Sequence, residues 1–198
     1  MIYPLTVFMA MVAWCFLHSW LAAFSTKRLA RQLFGEGIER YYRLIYIVIA
    51  LLTLMPILAM VLLLPGRLLW TIPPPWVYLT SALQLLALAG LFISILQIDA
   101  LAFLGIRQLT NPDAERDAEL VTHGTYGLVR HPLYLFSIIL FWLIPFMTDL
   151  ILSFVIASTL YFIIGTFPEE RKLVDIYGED YEAYQEDVPR IIPFINLS

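Results

Sequence analysis

The sequence has few charged residues and only one cysteine. Charged side chains make up 14% of the 198 residues and 61% of the residues are hydrophobic, with a mean hydropathy of +0.80. A soluble domain carries about 25% charged residues, so this chain has too few charges to cover its surface in water. The single Cys15 excludes a disulfide framework and a multi-cysteine metal site. The net charge of −4, without a large basic patch, disfavours a nucleic-acid partner.

Long hydrophobic runs are abundant instead. A helix needs about 20 apolar residues to cross about 30 Å of hydrocarbon. We therefore predict an all-α, polytopic membrane helix bundle with about five transmembrane helices, from the runs Ile2–Phe24, Leu44–Leu64, Trp76–Ile98, Leu133–Thr148 and Leu150–Phe167. The last two runs are short and are separated by Asp149. They predict a C-terminal helical hairpin that either crosses the membrane twice or is re-entrant.

The basic residues are distributed unequally between the two sides of these runs. Eleven of the twelve Lys and Arg residues fall on one side, and only Arg67 falls on the other. Loops on the cytoplasmic side of a membrane carry an excess of Lys and Arg. The pattern predicts an N-terminus outside, a C-terminus in the cytoplasm, and a cytoplasmic location for Arg107–Arg130.

Two polar stretches flank the predicted hairpin on this cytoplasmic side. They are the segment LVTHGTYGLVRHPLY at residues 120–134 and the triplet Glu169-Glu170-Arg171. The usual nucleotide-binding, metalloprotease and hydrolase motifs are absent. The chemistry is therefore expected where these two stretches meet.

An amphipathic helix is predicted over Glu169–Asp187. Tyr177, Tyr181, Tyr184 and Val188 share one stripe at helical spacing. Eight acidic against two basic residues in this segment argue against docking on anionic lipid. The stripe is therefore expected to pack on the protein itself.

The motifs resemble a known family. LVTHGTYGLVRHPLY, the hairpin, EER, YGEDYEAY and VPRIIPF resemble the membrane methyltransferases of the isoprenylcysteine carboxyl methyltransferase type, with phospholipid methyltransferases as more distant relatives. The segments FLHSWLAAFSTKRLARQLF and YYRLIYIVIALLTLMPIL are similar to the NnrU-type and methanethiol S-methyltransferase branch.

This resemblance implies a single membrane domain in a bacterial-type inner membrane. It implies a three-helix part at residues 1–106 and a cofactor-binding part at residues 107–198, closed by the C-terminal helix. It also implies S-adenosyl-L-methionine as the cofactor and a small or lipophilic methyl acceptor as the partner, alongside membrane lipid.

The resemblance also places the cofactor contacts. They fall on Leu120, Val121, Tyr126, His131, Pro132, Leu133, Tyr134 and Glu169, with a further polar contact near Asn111. The residue types suit the ligand, because apolar side chains can enclose adenine and a carboxylate can accept both ribose hydroxyls. An aromatic face can stabilise the sulfonium cation by about 0.5–2 kcal/mol. Gly124 would let the backbone approach the ligand closely.

The methyl acceptor is indicated by a departure from the family pattern. Family members that methylate a prenylcysteine carboxylate carry an arginine four residues before the ligand-binding glutamate, where this chain has Gly165. The departure favours a thiol or another small apolar acceptor. A free thiol has a pKa of about 8.5, and His18, Arg130 and Glu170 are the unranked candidates that could help to ionise it.

Other interpretations stay open at this point. The chain could be a carboxyl methyltransferase acting on a prenylcysteine or lipid, or a non-catalytic NnrU-like membrane factor. His18 could simply hydrogen-bond a neighbouring helix. Arg130 could be an interfacial anchor at the start of a span.

Overall fold

The computed structural model describes residues 2–111 and 119–195. This part of the chain forms eight α-helices and one two-stranded ribbon. The helices are α1 (Ile2–Ala22), α2 (Phe24–Phe34), α3 (Ile38–Leu63), α4 (Trp76–Gln97), α5 (Ala100–Phe103), α6 (Pro132–Trp142), α7 (Asp149–Tyr177) and α8 (Glu179–Asp187). The strands are β1 (Leu68–Thr71) and β2 (Phe146–Thr148), and 3₁₀ turns lie at Arg107–Leu109 and Gly124–Gly127.

Four of the helices are long and apolar enough to cross a membrane, namely α1, α3, α4 and α7. The prediction of an all-α membrane bundle is confirmed. The predicted run Leu133–Thr148 yields only α6, which has 11 residues. At 1.5 Å per residue α6 is about 16 Å long, roughly half of the hydrocarbon thickness. The helix stops early because the chain turns at Pro145 and then pairs β2 with β1.

The described chain forms two compact units. The first contains Met1–Pro65 and Asp99–Glu119. Within it α3 contacts α1, α2 and the 3₁₀ turn at Arg107–Leu109. The indole nitrogen of Trp14 donates a hydrogen bond of 3.0 Å to the carbonyl of Ala50, which joins α1 to α3. Such bonds pair polar groups that hydrocarbon cannot solvate.

The second unit contains Gly66–Ile98 and Leu120–Ser198. Helix α4 packs on α6, and the absence of a side chain at Gly90 permits this contact, because a Cβ there would come within 2.5 Å of the Phe136 ring. Helices α6 and α7 also contact each other, as a hairpin does. The structure thus groups α4 with the C-terminal half, whereas the sequence division at residue 106 placed it in the N-terminal part.

Helix α7 begins at a capped end and continues well past the predicted span. The Thr148 hydroxyl accepts a hydrogen bond of 3.2 Å from the amide of Ile151 at its first turn. The predicted helix Glu169–Asp187 is wrong in its boundaries, because its first half is the end of α7 and its second half is α8. The break falls at Gly178, whose φ of +58° is a conformation that favours glycine.

Candidate functional site

The motif of residues 120–134 lies in the second unit as a loop that leads into α6. The 3₁₀ turn at Gly124–Gly127 is followed by the exposed Leu128 and then by a buried segment, residues 129–132, that runs into α6. Pro132 occupies the first turn of α6, where its missing amide hydrogen costs nothing. The residue before a proline is disfavoured in the helical conformation, so the loop ends at His131.

The turn is fixed to the end of α4 by polar side chains. The Gln97 amide oxygen accepts hydrogen bonds from the Thr125 hydroxyl at 2.5 Å and from the Thr125 amide at 3.1 Å. The Ser94 hydroxyl donates to the Thr125 hydroxyl at 2.9 Å. Gly124 has a φ of +65°, and a Cβ there would overlap the Gln97 amide. The position of Gln97 therefore explains why residue 124 is a glycine. The close approach of the Gly124 backbone to a ligand stays a prediction.

The carboxylate of Glu170 is the centre of a buried polar network. Its Oε1 atom accepts hydrogen bonds from Arg130 Nε at 2.8 Å and contacts His131 Nε2 at 3.1 Å. Its Oε2 atom accepts from Gln185 Nε2 at 3.0 Å and from Arg190 Nη2 at 2.9 Å. The Glu170 side chain is only 4% exposed. One carboxylate thus neutralises part of the charge of two guanidinium groups inside the protein.

Arg130 also fastens the segment after α8 to the loop. Its Nη1 atom donates to the carbonyls of Gln185 at 2.8 Å and Val188 at 2.6 Å. The backbone amides of Arg130 and His131 donate to the carbonyls of Pro189 at 2.8 Å and Arg190 at 3.1 Å. With 1% of its side chain exposed, Arg130 is an interior residue, and its interpretation as an interfacial anchor is wrong.

Glu169 has different surroundings from its neighbour Glu170. Its side chain is 43% exposed. The Tyr134 hydroxyl donates to Glu169 Oε2 at 2.5 Å, and His131 Nδ1 lies 3.6 Å from the same oxygen. The Tyr134 ring stacks between His131, at 5.4 Å, and Phe162, at 5.0 Å between centroids. An accessible carboxylate therefore lies beside a stack of aromatic faces.

The tyrosine stripe packs on the protein, as predicted. Tyr181, Tyr184 and Val188 form a buried cluster against the side chains of Leu120, Leu173, Val174 and Tyr177. The Tyr184 hydroxyl donates to the Tyr126 carbonyl at 2.6 Å. Burial raises the pKa of Tyr126 to about 12, and the negative charge of Glu169 adds to the effect. The Tyr126 hydroxyl is therefore neutral at physiological pH.

The second unit brings together most of the predicted site residues. Arg130, His131, Pro132 and Glu170 are buried. The other members are half-buried or lie at the surface of the unit, namely Leu120, Val121, Gly124, Tyr126, Leu133, Tyr134 and Glu169. Asn111 and His18 belong to the first unit. His18 Nε2 lies 2.6 Å from the Tyr46 hydroxyl of α3, and its ring stacks on Trp14 at 4.8 Å. His18 therefore does hydrogen-bond a neighbouring helix, which is one of the interpretations that the sequence allowed.

Sequence reasoning missed four polar members of this arrangement: Ser94, Gln97, Gln185 and Arg190. The sequence contains only weak indications that two of these residues have a role in the site. Gln97 is an amide at the end of an apolar run, and Arg190 is the cation of the segment VPRIIPF. Neither position reveals its partner, because each partner lies 15 or more residues away along the chain.

The fold and this site define a polytopic helical membrane protein with a carboxylate and aromatic site at the end of its hairpin. The family model described as phospholipid methyltransferase matches residues 79–180, about half of the chain. The chain belongs to this family, which confirms the resemblance. No solved structure matches the chain significantly.

Several curated proteins are similar to the chain. Methanethiol S-methyltransferase 1 of Bradyrhizobium diazoefficiens is 36% identical over 106 residues, which cover 52% of this chain and 37% of the relative. A methanethiol S-methyltransferase of a Pseudomonas species is 36% identical over 128 residues, covering 63% and 49%. The protein-S-isoprenylcysteine O-methyltransferase of Schizosaccharomyces pombe is 31% identical over 126 residues, covering 60% and 51%. The matches span between a third and a half of the length of these relatives.

Proposed function

We propose that the protein is an integral membrane methyltransferase that uses S-adenosyl-L-methionine and methylates a thiol. The observation that carries the proposal is the Glu169 carboxylate, which Tyr134 and His131 hold half-exposed beside the aromatic stack. Membership of the phospholipid methyltransferase family and the names of the relatives support the reaction class. The proposal includes the bacterial-type inner membrane and the outside-to-cytoplasm orientation inferred from the basic residues.

The side chains in the second unit suit the chemical groups of the cofactor. Leu120 lies in the apolar cluster beneath α8, which suits a flat adenine ring. Glu169 offers a carboxylate to the ribose hydroxyls, and the Tyr134 face can stabilise a cation. When bound, the cofactor would supply a methyl group activated by its positive sulfur. The chain's own residues bind and orient it and exclude water, which are the main requirements of an in-line displacement.

Arg130 and Glu170, predicted as catalytic candidates, fit a positioning role better. Both oxygens of Glu170 already accept hydrogen bonds, and Arg130 uses its donors on Glu170 and on backbone carbonyls. Both Glu170 oxygens and the Nε and Nη1 atoms of Arg130 are therefore occupied by protein partners. We propose that they fix His131, and through it the neighbouring Glu169, in place.

The surface around Gly165 supports a thiol as the methyl acceptor. This residue lies on the same face of α7 as Glu169, four residues earlier, where carboxyl-methylating members of the family carry an arginine. A Cβ at Gly165 would meet no atom within 4 Å, so the space directly next to this backbone position is open among the described residues. A thiol would need no cationic clamp, and once it is ionised its attraction to the positive sulfur of a bound cofactor would be stronger in a low-dielectric site.

A competition between acceptors tests this proposal. Membranes containing the protein are given S-adenosyl-L-methionine with a labelled methyl group, together with a small alkyl thiol and a farnesylated cysteine analogue. We expect label in the thioether and little in the methyl ester. Labelling of the ester alone would favour the carboxyl methyltransferase alternative. Failure to bind S-adenosylhomocysteine, with no labelling of either acceptor, would favour a non-catalytic membrane factor.

His18 is the remaining candidate for assisting the thiol, because it is the one ionisable side chain other than Cys15 and Tyr3 in the run Ile2–Phe24. We expect His18→Ala to lower turnover of the thiol sharply while the affinity for S-adenosylhomocysteine stays nearly unchanged. Tyr46→Phe is the matched control, since it removes the hydrogen bond to His18 but keeps the imidazole. Full thiol turnover in His18→Ala would leave the histidine with a packing role only.

A further inference from the structure

The hydroxyl of Tyr181 is buried without a partner. Tyr181 is 1% exposed. Its Oη atom has no hydrogen-bond partner within residues 2–111 and 119–195. A buried hydroxyl without a hydrogen bond costs stability, and native proteins rarely keep one unless something else satisfies it.

The neighbouring tyrosine on α8 shows that this helix can satisfy such a group. Tyr184 lies three residues later, and its hydroxyl donates to the Tyr126 carbonyl at 2.6 Å. The two rings pack edge to face, with centroids 5.7 Å apart. The lack of a hydrogen-bond partner is therefore a feature of the Tyr181 hydroxyl and does not reflect poor packing of α8.

The surroundings of Tyr181 restrict what its partner can be. The ring lies in the apolar cluster with Tyr184 and Val188, against Leu120 of the loop and the side chains of Leu173, Val174 and Tyr177. Burial, with a smaller contribution from Glu170, raises the pKa of Tyr181 above its ordinary value. The group is thus a neutral hydroxyl, able to donate one hydrogen bond and to accept others.

We propose that the Tyr181 hydroxyl hydrogen-bonds the adenosine portion of the bound cofactor. This inference rests on the proposed function. The apolar cluster suits a flat, uncharged heterocycle with polar edges, whereas the charged amino-acid end of the cofactor would lose its hydration there without compensation. Leu120, which the proposed function assigns to adenine, belongs to the same cluster.

Entry of the ligand requires α8 to move, because the hydroxyl is closed off from solvent. The junction of α7 and α8 is Gly178, which has a positive φ and open space around it. We infer that α8 lifts at this junction to admit adenosine and then covers it, with Tyr181 on the inner face of the cover.

Two conservative variants of the full-length protein in detergent test the inference, with calorimetric titration and thermal unfolding as readouts. Tyr181→Phe should weaken the binding of S-adenosylhomocysteine roughly 3- to 10-fold, as expected for one hydrogen bond. Its unfolding temperature without ligand should be unchanged or higher, since an unpaired hydroxyl has been removed. Tyr184→Phe, the matched control, should lower the unfolding temperature, because it leaves the Tyr126 carbonyl without its donor.

Adenosine alone is the second probe, and it should show the same loss of affinity in Tyr181→Phe as S-adenosylhomocysteine does. A loss seen with S-adenosylhomocysteine but not with adenosine would overturn the assignment to this portion. Equal affinities of parent and Tyr181→Phe would overturn the inference and leave an enclosed water as the partner. If the parent itself does not bind S-adenosylhomocysteine, the proposed function fails instead.

Discussion

Replacing Glu170 by alanine is expected to destabilise the protein by about 3–5 kcal/mol, the usual cost of removing one partner from a buried ion pair. The substitution leaves the guanidinium groups of Arg130 and Arg190 next to each other without their shared carboxylate. It also removes the acceptor of Gln185. Thermal and denaturant unfolding in detergent measure the change. Glu182→Ala on α8 is the matched control, because that side chain is exposed and its loss should change stability by less than about 0.5 kcal/mol.

A double-mutant cycle tests whether the cost arises from the network. Arg190→Leu alone removes one cation and should destabilise the protein less than Glu170→Ala, since Arg190 is 22% exposed and can be hydrated. The two substitutions together should cost less than their sum, because each removes the other's unpaired charge. Additive effects, or a stable Glu170→Ala variant, would contradict the placement of Glu170 at the centre of the network.

Replacing Glu169 by alanine is expected to have the largest effect on cofactor binding. Loss of a hydrogen bond to a charged group costs about 1.5–3 kcal/mol, which corresponds to roughly 10- to 150-fold in affinity for S-adenosylhomocysteine. The unfolding temperature should change little, because the Glu169 side chain is 43% exposed. Calorimetric titration and thermal unfolding of the same preparation separate the two effects.

The matched control for this prediction is Asp175→Ala, which removes an exposed acid from the same helix. It should bind S-adenosylhomocysteine as the parent does. Glu169→Gln should give an intermediate affinity, since it keeps an oxygen that can accept from Tyr134 but loses the charge. Parental affinity in Glu169→Ala would show that the ligand carboxylate has been assigned to the wrong glutamate.

The membrane-spanning helices were the most predictable part of the fold. The runs that became α1, α3 and α4 are long enough that hydropathy alone identifies them. Hydropathy could not set the length of α6, because that helix ends where the chain turns and pairs β2 with a strand about 75 residues earlier. The break at Gly178 had a local signal, since glycine is the residue that tolerates its positive φ.

The sequence predicted which residues come together in the second unit, but not the surroundings of each one. Glu169 and Glu170 are adjacent in sequence, and consecutive helical residues point about 100° apart. Which of the two faces the interior depends on Arg130 and Arg190, which lie 40 residues earlier and 20 residues later. A pattern of spacing within one segment does not contain that information.

The partners of Arg130 have a consequence for the order in which the chain can assemble. Its side chain bonds to residues that lie 40, 55 and 58 positions further along the chain. During synthesis, Arg130 is added to the chain 40 or more residues before any of these partners, and a lone guanidinium is costly to bury in hydrocarbon. We therefore expect the start of α6 to remain exposed to water until Glu170 and the segment after α8 have been synthesised. The hydrogen bonds of the Arg130 side chain can therefore be completed only late in biogenesis, after Gln185 and Val188 have been made.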